Sequence, residues 1–210
     1  SKKNVVITGG AGFLGLHFAE GVAEMGGLPI LVDIDDANVR NATLTLQKKG
    51  FDAFGYTLDI CNPKQVKDIF STIISKHDNI DCLINGAAFA MKNLKDGGNE
   101  FFAPFEEYLL SNWQRSINVN LTGTFLVTQI IGKQMKKARK GSIVNIASDV
   151  AIISPDHRIY QPDEQVGYAG VDFNTPAAYS VSKAGILALT RYLATYWARD
   201  GIRVNSISPA

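Results

Sequence analysis

A glycine-rich turn, Gly10-Ala11-Gly12-Phe13-Leu14-Gly15, lies between a short apolar run at 4–8 and a helical pattern. The apolar run is rich in β-branched residues, which is typical of a buried parallel strand. A second apolar run ends on Asp33, 18 residues after the turn. Glycines at this spacing let the backbone approach a pyrophosphate at the helix N-terminus, and the Asp33 carboxylate can accept hydrogen bonds from a ribose. The turn predicts a dinucleotide site, with a purely structural glycine turn as the alternative.

Strand-like and helical patterns alternate along the chain, and no hairpin turn joins two strands. This alternation predicts βαβ units in a doubly wound parallel sheet of the α/β class (Rossmann fold), with three layers, α/β/α. Strands are expected at 4–8, 28–33, 51–58, 80–84, 141–148 and 202–207. Helices are expected at 13–25, 36–49, 63–76, 104–139 (with an interruption near 116–120) and 176–199. We expect a single domain over residues 1–210, in which the long polar segment 149–176 is a substrate loop.

The charge balance is nearly neutral, since 21 basic and 20 acidic residues give a net charge of +1. No basic footprint of the kind that binds nucleic acid is therefore expected. Cys61 and Cys82 have neither metal-ligand spacing nor the density of a disulfide framework, so we expect no metal and a reducing compartment. No apolar run reaches the ~18 residues of a membrane helix, and a strand follows residues 1–3 without room for a signal peptide. These features predict a soluble, cytoplasmic protein that binds neither nucleic acid nor a membrane.

Tyr179 and Lys183 are four residues apart at the start of a predicted helix. Residues at this spacing share one helix face, so the phenol and the ammonium can approach the same small volume. A nearby cation favours the phenolate, which makes tyrosine a proton donor or acceptor near neutral pH. Taken alone, such a pair is close to what chance gives, and the alternative is an ordinary pair of surface side chains.

Four motifs follow one another in a fixed order along the chain. They are Thr8-Gly9 through Gly15, Asn85-Gly86-Ala87-Ala88, Asn118-Val119-Asn120-Leu121-Thr122-Gly123, and Ser148 ahead of Tyr179-x-x-x-Lys183. In this arrangement the chain resembles the short-chain dehydrogenase/reductase family from residue 4 to Ala210. The resemblance implies a Rossmann-fold oxidoreductase that acts on CH–OH groups with NAD or NADP.

The same resemblance implies a catalytic role for four residues. Tyr179 looks like the acid/base, and Lys183 looks like the residue that lowers its pKa and holds the nicotinamide ribose. Ser148 is similar to the serine that hydrogen-bonds the substrate oxygen. Asn120 is similar to the asparagine that supports a water-linked proton path to the lysine. Without their partners, Ser148 would be read as a strand-end cap and Asn120 as a structural hydrogen bonder.

The predicted cofactor contacts come from the glycine turn and from the resemblance. They are Gly9, Gly10, Gly12, Phe13, Leu14, Gly15, Asp33, Asp59, Ile60, Asn85, Gly86, Ala87, Tyr179, Lys183 and Pro209. By resemblance, Asp59 and Ile60 border the adenine. Asp33 would repel a 2′-phosphate, and Ile34 and Asp35 after it offer no arginine to receive one. We therefore expect NAD in preference to NADP.

The interval from Ser148 to Tyr179 spans 31 residues and is longer than is usual in the family. We hypothesise that its extra part, 155–174, shapes specificity for a polar or sugar-like substrate, with solvated loop residues as the alternative. The hypothetical contacts are His157, Arg158, Tyr160 and Asp163. A similar interval occurs in relatives linked to bacterial surface-sugar modification. Family members also continue into a lid and one more strand, which we expect this chain to lack.

The leading hypothesis is an NAD(H)-dependent oxidoreductase that transfers a hydride between nicotinamide and an alcohol or ketone. The spacing Thr8-Gly9-x-x-Gly12-x-x-Gly15 is typical of the family's extended branch and also allows a sugar-nucleotide epimerase or dehydratase with retained NAD. A non-catalytic dinucleotide-binding protein is a third alternative, because a fold does not fix a function. The resemblance further implies a homodimer or homotetramer paired through helices 104–139 and 176–200.

Overall fold

A six-stranded parallel sheet forms the centre of the computed structural model, which describes residues 2–89, 100–160 and 174–209. The strand order is β3-β2-β1-β4-β5-β6, and each neighbouring pair is parallel. The strands are β1 (Asn4–Thr8), β2 (Leu28–Asp33), β3 (Phe54–Thr57), β4 (Cys82–Asn85), β5 (Gly141–Ile146) and β6 (Ile202–Ile207). The predicted doubly wound α/β fold is confirmed.

Helices cover both faces of this sheet. The α-helices are α1 (Phe13–Glu24), α2 (Asp36–Lys48), α3 (Pro63–His77), α4 (Leu110–Ile117), α5 (Thr124–Ala138) and α6 (Ala177–Tyr196). Side chains of α1 and α2 share one buried apolar cluster with the sheet. Side chains of α3, α5 and α6 share another, which includes Phe70, Ile131 and Leu193. The two clusters are the interfaces of a three-layer α/β/α arrangement.

The strand sequences explain why both faces are covered. Val5 and Ile7 of β1 belong to the cluster with α1 and α2, whereas Val6 belongs to the opposite cluster. Successive side chains of a strand point to opposite faces, so a continuous apolar run needs an apolar layer on each side. The run in β2 is buried in the same way at Ile30, Leu31 and Val32.

The strand order reverses between β1 and β4, which makes their carboxyl ends the switch point of the sheet. Thr8 pairs with Asn85 at that edge. Beyond the pair, the Gly86 N–H donates to the Thr8 carbonyl oxygen at 3.2 Å. Ligands of open α/β sheets bind in the crevice at such a point. The glycine turn and the Asn85–Ala87 motif therefore meet where a ligand site is expected.

Several boundaries differ from the predicted ones. The strand expected at 80–84 is β4 (Cys82–Asn85), because the Ile80 N–H donates to the Gln134 side chain at 3.0 Å. The helix expected from 104 has only a 3₁₀ turn at Phe105–Glu107 before α4 begins at Leu110. The interruption expected near 116–120 is a π-helical turn, Asn118–Gly123, that joins α4 to α5.

The described part of the segment 149–176 contains short turns. It contains 3₁₀ turns at Asp149–Ala151 and His157–Tyr160, while Asp163 lies outside the described residues. Within the described ranges, no helix is both long enough and apolar enough to cross a membrane. Those ranges also contain no group of three or more His, Cys, Asp or Glu side chains placed to hold a metal ion.

Candidate active site

The glycine turn packs so tightly that its backbone tolerates no larger residue at two positions. Gly9 has a φ of +66°, and a Cβ there would lie 2.8 Å from the Ala87 Cα. A Cβ on Gly15 would lie 2.1 Å from the Gly9 carbonyl oxygen. Gly9 thus lets the turn approach the motif after β4, and Gly15 lets α1 start directly beside the turn.

The N-terminus of α1 is left without a cap, unlike those of two neighbouring helices. Gly12 provides no side-chain cap, and the first turn of α1 has no acidic residue. By contrast, Asp35 accepts from the Asn38 N–H at the start of α2, and Asn62 caps α3. First-turn amides carry partial positive charge and need an acceptor. The uncapped end therefore fits the diphosphate of a dinucleotide, and the predicted contacts Phe13 and Leu14 lie in its first turn.

Asp33 ends β2 beside this turn. One carboxylate oxygen, Oδ2, accepts from the Ala11 N–H at 3.1 Å, and Oδ1 accepts from the Ile34 N–H at 2.8 Å. The bond to Ala11 fixes the carboxylate at the glycine turn, where an adenine ribose would lie in a dinucleotide site. Farther along, Arg40 pairs with Asp36. The nearest arginine in sequence thus has a carboxylate partner of its own.

The other predicted cofactor residues line the same edge or support it. Asp59 Oδ1 accepts from the Cys61 N–H at 2.8 Å, and Ile60 is buried against Gly123 of the π-helical turn. Asn85 is buried and donates from Nδ2 to Asn145 at 2.8 Å and to Thr128 at 2.9 Å. Its side chain therefore braces the sheet from within. The Gly86 and Ala87 amides and the Pro209 carbonyl lie at the strand ends.

Tyr179 and Lys183 lie on one face of the first turns of α6, as their spacing predicts. The Lys183 Nζ is 5.7 Å from the centroid of the Tyr179 ring. It donates to the Ile146 carbonyl oxygen at the end of β5, at 2.7 Å. The residue is only 4% exposed, and burial lowers the pKa of Lys183 to about 8. This lysine is a buried group near its titration point at neutral pH, and the surface alternative is wrong.

The pKa of Tyr179 departs from its ordinary value in the direction opposite to the expected one. Burial raises the pKa of Tyr179, a hydrogen bond with Ser148 opposes that rise, and the charge of Asp149 adds to it. The resemblance implied a pKa lowered by Lys183, but the lysine is not among the causes here. Burial, which the sequence analysis did not consider, has the largest effect on the pKa of the phenol, and the Asp149 charge adds a smaller one.

Ser148 follows β5 and lies beside Tyr179. The Ser148 Oγ donates to Asp149 Oδ1 at 2.8 Å. Asp149 Oδ1 also accepts from the Val150 N–H at 2.7 Å. The Asp149 N–H donates to the Pro209 carbonyl oxygen at 3.0 Å, which fastens this turn to the end of β6. The signal that could have identified Asp149 is its position, directly after the predicted serine.

Asn120 is held inside the π-helical turn and is almost fully buried. Its Oδ1 accepts from the Phe89 N–H at 2.6 Å, and its Nδ2 donates to Ser182 Oγ at 3.0 Å. The Ser182 hydroxyl in turn donates to the Tyr179 carbonyl oxygen at 2.8 Å. Asn120 therefore contacts α6 one residue before Lys183, through a serine that the sequence analysis did not single out. The water-linked path to the lysine stays a prediction.

Asp156 and Arg158 of the long segment pair with each other, whereas Asp149 of the same segment belongs to the site. Arg158 is exposed and binds Asp156 through Nε at 2.9 Å and Nη2 at 2.6 Å. His157 lines a cavity of about 450 Å³ together with Phe105, Tyr108 and Ser180. To bind a substrate anion, Arg158 would therefore have to give up or share its ion pair with Asp156.

Comparison with known proteins agrees with this geometry. Residues 3–160 match the family model described as short chain dehydrogenase. Residues 166–210 match a second model, described as enoyl-(acyl carrier protein) reductase. The D-threitol dehydrogenase of Mycolicibacterium smegmatis is 30% identical over an alignment of 210 positions. That alignment covers 99% of this chain and 69% of that protein.

Two solved structures extend the comparison. An NAD⁺-bound xylitol dehydrogenase is 29% identical, with a TM-score of 0.82 over 99% of this chain and 69% of the other. A gluconate 5-dehydrogenase from Burkholderia cenocepacia, in complex with NADP and tartrate, is 25% identical, with a TM-score of 0.81 over 99% and 70%. The chain belongs to the short-chain dehydrogenase family, and the predicted class of CH–OH oxidoreductase is confirmed.

Proposed function

We propose that this protein is an NAD-dependent dehydrogenase that oxidises one hydroxyl of a small polyol, or reduces the corresponding ketone. The observation that carries the proposal is the meeting of Ser148, Tyr179 and Lys183 at the same sheet edge as an uncapped helix N-terminus. Relatives named for threitol, xylitol and galactitol support a polyol substrate. Open α/β sheets bind their ligands at this edge.

The residues present divide the work of holding a dinucleotide. The first-turn amides of α1 would hold the diphosphate, and Asp33 would hold the adenine ribose. Asp59 and Ile60 would border the adenine, and Lys183 would hold the nicotinamide ribose. Gly86, Ala87 and Pro209 would border the nicotinamide half. A bound nicotinamide would supply the hydride chemistry.

The protein supplies the proton chemistry and the orientation. In ketone reduction the Tyr179 phenol, which its raised pKa keeps protonated at neutral pH, gives its proton to the reacting oxygen. In alcohol oxidation the phenolate, which forms as the pH rises, takes the hydroxyl proton of the substrate. Ser148 fixes the reacting oxygen beside Tyr179. A pKa of about 8 lets Lys183 gain and lose a proton near neutral pH, which suits a group that passes the proton onward. Asn120, by binding both Phe89 and Ser182, keeps the start of α6 in place against the π-helical turn.

A preference for NAD follows from charge at the end of β2. Asp33 is fixed at the glycine turn by the Ala11 amide, and Arg40 is paired with Asp36. A 2′-phosphate at that point would be repelled by the Asp33 carboxylate. Arg40, in the first turns of α2, is already paired with Asp36. The relatives include one bound to NAD⁺ and one bound to NADP, so the preference rests on these residues.

A substrate panel tests the proposal. We expect NADH absorbance to rise when the protein is given NAD and threitol, xylitol, glycerol or galactitol. Tyr179→Phe removes the acid/base but keeps the ring, so the rate should fall by about 10²- to 10⁴-fold, the usual contribution of such a group. NAD binding, followed by fluorescence titration, should persist in the variant.

Two outcomes would contradict this function. A Tyr179→Phe protein that keeps the wild-type rate would remove Tyr179 from the chemistry. Cofactor that stays bound through purification and never accumulates as NADH would favour the epimerase or dehydratase alternative.

A further inference from the structure

Asp149 is an acidic residue of the site that none of the predicted roles uses. Both bonds to its carboxylate go to one oxygen, since Ser148 Oγ and the Val150 N–H donate to Oδ1 at 2.8 and 2.7 Å. The other oxygen, Oδ2, has no hydrogen-bond donor within the ranges 2–89, 100–160 and 174–209. The residue is half-buried, and its backbone is fixed by the bond from its N–H to Pro209. The carboxylate thus has a fixed position and one oxygen left to accept.

The charge of Asp149 acts within the site. Its Oδ1 lies 2.8 Å from Ser148 Oγ, and its charge raises the pKa of Tyr179. The other charged group near the phenol is Lys183, whose Nζ donates to the Ile146 carbonyl oxygen. No ion pair between Lys183 and Asp149 occurs among the residues that the structure describes. Within the described residues Asp149 therefore has no ion-pair partner, and its charge lies one hydrogen bond away from the serine that would hold the reacting oxygen.

We propose, on the basis of the function proposed above, that Asp149 selects substrates with a second hydroxyl on the carbon next to the reacting one. Ser148 lies between Tyr179 and Asp149 in the chain of bonds. When the reacting oxygen lies at Ser148 and Tyr179, a vicinal hydroxyl reaches Asp149 and donates to Oδ2. A hydrogen bond to a carboxylate is stronger than one between neutral groups. A substrate that carries a carboxylate there would be repelled.

The same bonds define the role of the serine. Ser148 uses its single hydroxyl proton on Asp149 and so holds that carboxylate in place. The proton of the reacting alcohol goes to Tyr179, and Asp149 is a specificity residue and not a proton carrier.

Three four-carbon substrates test this inference: butan-2-ol, butane-2,3-diol and 3-hydroxybutanoate. All three have a secondary hydroxyl. On the carbon next to it, butan-2-ol carries only hydrogens besides its methyl group, butane-2,3-diol carries a hydroxyl, and 3-hydroxybutanoate carries a carboxylate. Asp149→Asn keeps an Oδ1 acceptor for Ser148 and Val150 but removes the charge. We expect kcat/KM to fall about tenfold for the diol, to stay within about threefold for butan-2-ol, and to rise about tenfold for 3-hydroxybutanoate.

Opposite changes on the diol and the acid distinguish recognition from damage, because a distorted site lowers all three values together. Asp52→Asn removes an equal charge from an exposed residue bound to Lys2 at the opposite edge of the sheet, and it should leave all three unchanged. A pH profile on butan-2-ol gives an independent readout. Since Asp149 raises the pKa of Tyr179, the acid-side fall of kcat/KM should move to lower pH in Asp149→Asn.

Each result has one meaning. If the wild type oxidises butan-2-ol and the diol but their ratio is unchanged in Asp149→Asn, the inference is overturned and the proposed function stands. A parallel fall of all three values also overturns it. If the wild type oxidises threitol or xylitol with NAD but not butane-2,3-diol, the inference is overturned and the proposed function stands. If it oxidises none of the polyols, the proposed function fails and the inference fails with it.

Discussion

Asp33 is the residue that we expect to set the choice of cofactor. Its two carboxylate oxygens bind the Ala11 and Ile34 amides, so the charge cannot swing away from a ribose phosphate. We expect the wild type to bind NAD about 100-fold more tightly than NADP. The reason is that two negative charges at close range, the Asp33 carboxylate and the 2′-phosphate, repel each other at a cost of several kcal/mol. Asp33→Asn keeps the acceptor for Ala11 and should reduce that ratio about tenfold. Fluorescence titration with both reduced cofactors measures it.

A second substitution at the same place sharpens the test of Asp33. Ile34 is 67% exposed, so Ile34→Arg can be added to Asp33→Asn without disturbing the core. The added guanidinium should reverse the preference, because an arginine there can bind a 2′-phosphate. Tighter binding of NADPH by the wild type would contradict the assignment of Asp33.

At the residue scale, motif order predicted which groups meet but not what surrounds them. The structure brings Ser148, Tyr179 and Lys183 together, and Asn120 contacts α6 through Ser182; their catalytic roles stay predictions. The pKa of Tyr179 was predicted in the wrong direction, because it depends on burial and on Asp149, which no spacing in the sequence reports. A pKa is set by three-dimensional surroundings, and neighbours in space are read poorly from a chain.

The start of helix α1 gives the prediction at the scale of secondary-structure elements. A Cβ at Gly15 would collide with the Gly9 carbonyl at 2.1 Å, and backbone cannot move aside as a flexible side chain can. We expect Gly15→Ala to lower the free energy of unfolding by about 1–3 kcal/mol, as overpacking does, and to weaken NAD binding. Urea unfolding with and without NAD measures both effects.

The same helix supplies the control. Gly21 has no atom within 4 Å of where its Cβ would lie. Gly21→Ala should therefore raise the free energy of unfolding by about 0.5–1 kcal/mol, because alanine loses less backbone entropy in a helix. NAD binding should stay unchanged. Equal destabilisation by the two substitutions would mean that the turn is not as closely packed as the contacts indicate.

Element types were predicted better than element ends. The apolar runs and glycine stops fix which stretch is a strand or a helix, because burial on two faces demands that pattern. The ends depend on single contacts, such as the Ile80 amide that binds Gln134 in place of a neighbouring strand. Similarly, the π-helical turn that carries Asn120 inserts one residue into a helical path, which periodicity alone registers only as a break.

At the scale of the whole molecule, alternation predicts a parallel sheet with crossovers of one hand, but it does not predict the strand order β3-β2-β1-β4-β5-β6. Alternation also does not predict which outer surface meets another copy of the chain. The resemblance implied pairing through the helices around 104–139 and 176–200. Two exposed tyrosines of α6, Tyr192 and Tyr196, stack at 5.7 Å, and the Lys136 ammonium of α5 lies 5.8 Å from the Tyr196 ring. Phe125 of α5 is also exposed.

We therefore expect a homo-oligomer that buries this α5–α6 surface. Tyr192 and Tyr196 are 62% and 57% exposed, and tyrosines are frequent anchors of interfaces. Tyr192→Asp places a charge there and should weaken self-association by about 30-fold or more, measured by sedimentation equilibrium. Leu44→Asp, at an exposed position of α2 on the opposite layer, should leave it unchanged. Dissociation by Leu44→Asp alone would place the contact on the α1–α2 layer instead.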